Sequence, residues 1–223
     1  MYYKAVIFDL DGTLLDTIGD IVDSMNAVLT DLGCPGHSVD AYKTFIGDGL
    51  DVLVRRSLPE TMRDERTVRT CVEAMRNEYG QRWANTSKPF RNIPELLDGL
   101  TSMDMKISVF SNKLDVFTKE MVTVLLGTWQ FHTVLGLNDD IPRKPDPSGA
   151  LAIARAMHVD PGQCVFVGDS NIDMQTAQRA GMKPVGVLWG YQDRNRLISG
   201  GAVDLLSDPL DLLPILEGRS QAS

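Results

Sequence analysis

The chain has 223 residues, 43% hydrophobic and 23% charged, an ordinary balance for a globular protein of one sizeable domain or a domain carrying an insert. A formal net charge of -8 and a pI near 4.8 weigh against nucleic acid as a partner, because phosphate backbones select basic faces. A small anionic substrate fits such a chain only where a metal ion, a few lysines or helix N-termini gather local positive potential.

The opening "MYYKAVIFD" lacks a basic n-region and a long apolar h-region, and no run reaches the length of a membrane span. A cytoplasmic protein without membrane partners is expected. Cys34, Cys71 and Cys164 are too few and too scattered for a disulfide framework or a zinc cluster, which suits a reducing compartment.

"AVIF" at 5–8 is the first short, continuously apolar run, a pattern that predicts a strand covered on both faces. "FDLDGT" follows it. On extended backbone Asp9 and Asp11 point the same way, and two carboxylates so placed need a cation or a shared proton. Gly12 allows a sharp turn with the backbone close to a ligand, and Thr13 adds a hydroxyl and an N–H at a candidate anion-binding turn.

Nearly a hundred residues then pass without a convincing strand. "IVDSMNAVLTDL" sets Ile21, Met25, Val28 and Leu32 at helical spacing, and "DVLVRRSL" and "ERTVRTCVEAMRNEYGQRW" continue in that register. These residues predict a helical insert over about 17–85. Within it, Gly47 and Gly49 of "GDGL" would let backbone approach a ligand, and Arg55 or Arg56 could meet a carboxylate. "ANTSKPFRNIPE" reads as a return linker and "ELLDGLTSM" as a helix.

The strand-helix alternation resumes with "ISVF" at 107–110, a weaker strand candidate "FHTVLGL" at 131–137, "CVFVG" at 164–168 and "PVGVLW" at 184–189. Helices are expected between them in "DVFTKEMVTVLL", "SGALAIARAMHV" and "DMQTAQRAG". This alternation predicts a doubly wound parallel α/β sheet. An insert leaving the end of the first strand would overlie the edge where such sheets bind ligands, as a lid.

Three further polar islands sit at or beyond strand ends. "FSNK" offers Ser111 and Asn112 as neutral donors just before a helix. In "RKPDP" the prolines at 145 and 147 stiffen the loop and hold Lys144 in place ahead of a helix, and "GDSNIDM" places Asp169 at a strand end with Asp173 on the first turn of the next helix. Each alone is open to a plain reading as a cap, a solvated lysine or a turn. Their convergence on one crevice is what those plain readings do not predict. His37, His132 and His158 show no ligand spacing.

In this order, "FDLDGTLLDT", "SNK", "RKPDP" and "GDSNIDM" resemble the motifs of the haloacid dehalogenase (HAD) superfamily of phosphohydrolases, over essentially the whole chain. The insert resembles that superfamily's small α-helical cap, and "FIGDGLDVL" with "SNK" is most similar to phosphoglycolate phosphatases. The polar ending "EGRSQAS" itself reads as a frayed tail over 218–223. The resemblance implies a Rossmann-like core over 1–16 and 86–217 and a cap over 17–85. It implies Asp9 as nucleophile, Asp11 as general acid and Lys144 as a catalytic cation, with Gly12, Thr13, Ser111, Asn112, Lys113, Gly47 and Gly49 about the substrate. Mg²⁺ would be held by Asp9, the Asp11 carbonyl and Asp169, with Asp173 behind them or bound through water.

The implied partner is a small phosphorylated metabolite, and the implied assembly a monomer or homodimer. A carbon–halogen bond leaves as halide and needs no proton donor, so Asp11 argues for phosphoryl transfer. A phosphomutase, a pyrophosphatase or nucleotidase, and a phospho-receiver module are the rival readings.

Overall fold

The computed structural model describes residues 2–218. The expected frayed tail, apart from Gly218, lies outside them. The strands β1 (Ala5–Phe8), β4 (Lys106–Leu114), β5 (Thr133–Leu137), β6 (Cys164–Gly168), β7 (Lys183–Val187) and β8 (Asp204–Leu206) form a parallel sheet in the order β5-β4-β1-β6-β7-β8. Between β1 and β4 lie β2 (Leu15–Asp16) and β3 (Lys88–Pro89), a short antiparallel pair.

Both faces of the sheet are covered, which is why its strands read as unbroken apolar runs. Val6 and Phe8 of β1 point into one core with Val165 and Val167 of β6, while Ala5 and Ile7 join Cys164 and Phe166 in another. The second core is closed by α7 (Ser148–Ala156) and α8 (Asn171–Arg179) through Ala150, Ile153 and Ala177. The first takes in α5 (Ile93–Ser102), α6 (Asp115–Leu125) and α10 (Leu212–Leu216). The remaining helix of this half, α9 (Arg194–Gly200), packs on α8.

Between β2 and β3 run four helices: α1 (Ile18–Asp31), α2 (Val39–Phe45), α3 (Leu50–Ser57) and α4 (Glu65–Arg82). The apolar spacing seen in the sequence is what they bury: Met25, Val28 and Leu29 of α1 lie in one core with Val68, Cys71 and Met75 of α4. Asp20, in the first turn of α1, is buried, and its carboxylate accepts bonds from the backbone N–H and hydroxyl of both Thr86 and Ser87, at 2.7–3.1 Å. Burial opposes the charge of Asp20, but those donors from Ser87 and Thr86 hold its carboxyl below the usual range. One carboxylate thus ties the outgoing chain to the returning one.

Several expected boundaries shift. β4 does not stop at Phe110 but runs to Leu114, with a register irregularity against β5, so Ser111 and Asn112 lie within a strand end. β8 went unrecognised because three residues containing an Asp give no apolar run. The sequence also left out α2, α9 and the pair β2–β3, all too short for a periodic signal.

Candidate active site

The four polar islands meet at the C-terminal ends of β1, β4 and β6, beneath a cavity of about 90 Å³ walled on its far side by the helical insert. Past β1, the N–H of Asp9 still bonds to the Val167 carbonyl at 2.9 Å, so its main chain is still held to the sheet. The chain then turns back through three N–H groups, those of Thr13, Leu14 and Leu15, which all donate to the Leu10 carbonyl. Gly12 has φ +84°, and a Cβ there would run into the Asp169 carboxylate; glycine is required on both counts.

That turn corrects one expectation. The N–H of Thr13 is committed to Leu10 and that of Gly12 to the Leu15 carbonyl, so neither is aimed at an anion. Neither residue lines the cavity. The Thr13 hydroxyl is buried, with no hydrogen-bond partner among the described residues.

Lys144 is the hub of the floor. Its ammonium, 3% exposed, lies 2.8 Å from Oδ1 of Asp9 and 2.6 Å from Oδ1 of Asp173, between the rings of Phe110 and Phe166. Asn112 positions it: Oδ1 of Asn112 accepts from the Lys144 N–H at 2.8 Å and its amide donates to the Lys144 carbonyl at 3.2 Å. The same amide donates to the Gly47 carbonyl of the insert at 2.9 Å. Asn112 therefore acts as a bracket here, in place of the free donor at a helix start expected from the sequence. Ser111 is buried against the cavity, and its hydroxyl accepts from the N–H of Lys113.

Asp11 faces the same cavity from another direction. Its Oδ1 accepts from the Thr17 hydroxyl at 2.7 Å and from the Lys113 ammonium at 2.8 Å, and Lys113 lies 4.4 Å from the Tyr79 ring centroid. Thr17 stands at the N-cap of α1, yet its hydroxyl is turned to Asp11, and its N–H donates to the Tyr191 hydroxyl. Asp169 receives the Tyr191 N–H on Oδ2 at 2.7 Å. Asp173 closes a capping box with Ser170, so its two oxygens are divided between the helix start and Lys144.

Burial governs the charges of the floor. It pushes the Asp9 carboxyl up to about 7, against the pull of Lys144 and with help from Asp173 and Asp11. It raises Asp169 well above the usual carboxylate range, and the charges of Asp9 and Asp173 add to this. Burial alone would lower Lys144, but Asp173 and Asp9 outweigh it and hold the ammonium above its ordinary value. Lys113 is likewise opposed by burial and held up by Asp11.

One oxygen from each of Asp9, Asp169 and Asp173 lies within 4.8 Å of the others, all three buried. Three carboxylates against one ammonium leave a negative surplus, and among the described residues no hydrogen bond engages Oδ2 of Asp9 or Oδ1 of Asp169. An all-oxygen donor set of this charge fits a hard dication. Asp173, with both oxygens occupied, fits it least.

Other expectations fall away from the cavity. Arg55 pairs with Glu65 at 2.7 Å and Arg56 with Asp48 at 2.6 Å, and neither lines the cavity. Gly47 and Gly49 do line it, at φ +115° and +97°, and their loop also docks on the core: Arg143 donates to the Asp48 carbonyl at 2.7 Å and pairs with Asp51 at 3.1 Å. Sequence reasoning missed Tyr79, Tyr191, Thr17 and Asp20, since single residues without a motif carry no signal.

A family profile, "Haloacid dehalogenase-like hydrolase", matches residues 6–187. A phosphoglycolate phosphatase from Aquifex aeolicus is 31% identical over 216 residues, covering 97% of this chain and 98% of its own. One from Thiobacillus denitrificans is 32% identical over 194 residues, 84% of each chain. A solved chain from Lactobacillus delbrueckii subsp. bulgaricus matches with a TM-score of 0.89 at 28% identity, over 97% of this chain and 99% of its own. A haloacid dehalogenase-like family hydrolase from Streptococcus pneumoniae matches in fold, with a TM-score of 0.86 at 21% identity over 96% and 98%.

Proposed function

The chain belongs to the haloacid dehalogenase-like hydrolases, and on that premise we propose that it is a phosphatase acting on a small phosphomonoester, phosphoglycolate or a close analogue, through an aspartyl-phosphate. One observation carries the reading: Asp9, held on Lys144 at 2.8 Å, and Asp11, held on Lys113 at 2.8 Å, open onto one cavity. That is a nucleophile and a proton carrier on either side of a place for a phosphoryl group.

In the first half-reaction an oxygen of Asp9 bonds to phosphorus and the ester P–O bond breaks. Asp11 delivers a proton to the departing alkoxide. In the second, water attacks phosphorus, Asp11 takes its proton, and the acyl–phosphate bond opens to return Asp9 and free phosphate. Lys144 keeps the Asp9 oxygen in place and offsets charge on the floor, while Ser111 offers a hydroxyl to the transferring group. Asp9, Asp169 and the main-chain carbonyl of Asp11 would hold Mg²⁺; when bound, it neutralises charge between the nucleophile and the phosphoryl oxygens. The helical insert serves as the cap, closed on the core through Asn112 and Arg143.

The test is phosphate release from a panel of monoesters, with and without Mg²⁺, beside Asp9→Asn. Turnover should require the metal, and Asp9→Asn should lose roughly four orders of magnitude or more, as nucleophile removal does elsewhere. An isomerised product would point to a mutase, and a slowly decaying phosphoprotein to a receiver. If Asp9→Asn matches the wild type, the covalent mechanism is wrong.

A further inference from the structure

The two walls of the cavity differ in chemistry. On the core side the cations are already matched: Lys144 with Asp9 and Asp173, Lys113 with Asp11. On the insert side the lining is Ile46, Leu50, Leu53 and Met75, continued by Phe117 of α6. Its polar groups are largely taken, since the Gly47 carbonyl accepts from Asn112 and the Tyr79 hydroxyl donates to the Met121 sulfur. Two cations also line this side, Lys43 of α2 and Arg76 of α4. Among the described residues Lys43 pairs only with the well-exposed Asp40, at 3.1 Å, and the exposed Arg76 has no ion pair.

We propose that the cavity selects a phosphomonoester whose alcohol carries an apolar carbon segment ending in an anionic group, with Lys43 and Arg76 as the residues that recognise the anion. The proposal rests on the phosphatase reading above and deepens it: phosphoglycolate is the shortest ester of this kind, and the apolar wall with Lys43 and Arg76 favours a longer one.

The argument is one of desolvation. A leaving group rich in hydroxyls would exchange water for hydrocarbon at each of them and gain few partners, which a buried hydroxyl tolerates poorly. Methylene groups meet the opposite balance, since leaving water for an apolar wall favours them. The far anion cannot rest on Lys144 or Lys113 without displacing a buried carboxylate, whereas on the insert Lys43 is held only by an exposed one and Arg76 by none among the described residues. In a chain of net charge -8, two guanidinium or ammonium groups lining one apolar cavity are the local exception that an anionic substrate needs. The cations expected from the sequence, Arg55 and Arg56, are bound up with Glu65 and Asp48 instead.

The experiment compares phosphate esters of ω-hydroxy acids, from glycolic to 6-hydroxyhexanoic acid, with uncharged n-alkyl phosphates of equal length and with glycerol and hexose phosphates. For the wild type, kcat/KM should rise with the first added methylenes, stay lower for the hydroxylated esters, and favour the carboxylated ester over its uncharged match. Lys43→Gln and Arg76→Gln should each shrink that preference by roughly ten- to a hundredfold, mostly through KM, as loss of a hydrogen bond to a charged group does. Both side chains are solvent-accessible, and thermal melts will show that the variants fold. No phosphate from any ester sinks the phosphatase reading itself. Ready hydrolysis with the same preference in wild type and both variants leaves that reading standing and overturns this inference.

Discussion

The floor and the roof of the cavity are built on opposite principles. On the floor, buried charges hold one another: Lys144 is 3% exposed and bonded to two carboxylates, so neither it nor they can be changed alone. On the roof, the contacts are apolar side chains, the Gly47 carbonyl and exposed ion pairs, with no buried charge that must be matched. On the proposed function, the chemistry would rest with the charged floor and the choice of substrate with the apolar roof. The following substitutions test that division, from the floor outward.

Lys144→Met should give the largest effect. It leaves Asp9, Asp169 and Asp173 facing one another without a cation, and breaking a buried pair from one side costs about 3–5 kcal/mol. Activity should fall by several orders of magnitude, since the Asp9 oxygen loses its fixed place. A melt within a degree or two of wild type would show that the floor is not held together in this way. Mg²⁺ should recover part of the lost stability in the variant by replacing the missing charge.

The same surplus makes the metal's effect depend on pH. Asp9 is raised from 3.8 to about 7 in the folded chain, and Asp169 moves the same way. A carboxyl raised by folding stabilises while it is protonated, so its contribution is complete below the unfolded value and is lost as pH rises through about 7. The metal-free protein should therefore lose on the order of 4 kcal/mol between acid and mildly alkaline pH from this source. A dication binds the ionised carboxylates, so the rise in Tm on adding Mg²⁺ should be larger at pH 8 than at pH 5.5. Equal shifts at both pH values would mean that the metal does not relieve this charge.

These floor residues were also the legible ones, and for a physical reason. A residue that must sit at a strand end beside a sharp turn constrains its neighbours, so Asp9, Gly12, Lys144 and Asp169 each came with a local pattern of glycine, proline or apolar strand. The long strands were legible because burial on both faces makes their sequences continuously apolar, as Val6 and Ile7 in opposite cores show. What stayed hidden depends on contacts between distant residues. The sequence placed Asn112 and Thr13 as donors to a substrate, but tertiary packing had already engaged Asn112 with Lys144 and the N–H of Thr13 with Leu10. Tyr191 reaches Thr17 across 174 residues and Asp169 across 22, and no local window holds that information.

Asp20 is the clearest such case, and it leads to a third test. It sits in an unremarkable helical stretch, yet accepts bonds from Thr86 and Ser87 where the outgoing and returning chains meet. Asp20→Ala strands those buried donors and should cost about 2 kcal/mol, with a smaller loss for Asp20→Asn. Folding lowers the Asp20 carboxyl, so its contribution is present above the unfolded value of 3.8 and disappears as pH falls through the folded one. Wild type and Asp20→Asn should accordingly converge in stability in strong acid. A gap that persists there would trace the effect to shape instead of charge.

The smallest stability effect is expected where roof meets floor. Arg143 and Asp51 are 42% and 52% exposed, and an ion pair in that setting contributes about 0–1 kcal/mol. Arg143→Ala should therefore barely move Tm. Arg143 also donates to the Asp48 carbonyl at 2.7 Å, in the glycine loop that Asn112 holds from the other side. If that loop closes the cavity, weakening one of its two anchors favours the open state and should lower kcat/KM severalfold with little change in Tm. Added salt screens the Arg143–Asp51 pair in the wild type, so the gap between wild type and variant should narrow as ionic strength rises. A variant as active as wild type at every salt concentration would leave Asn112 as the anchor that matters, and the roof would then be fastened from the floor alone.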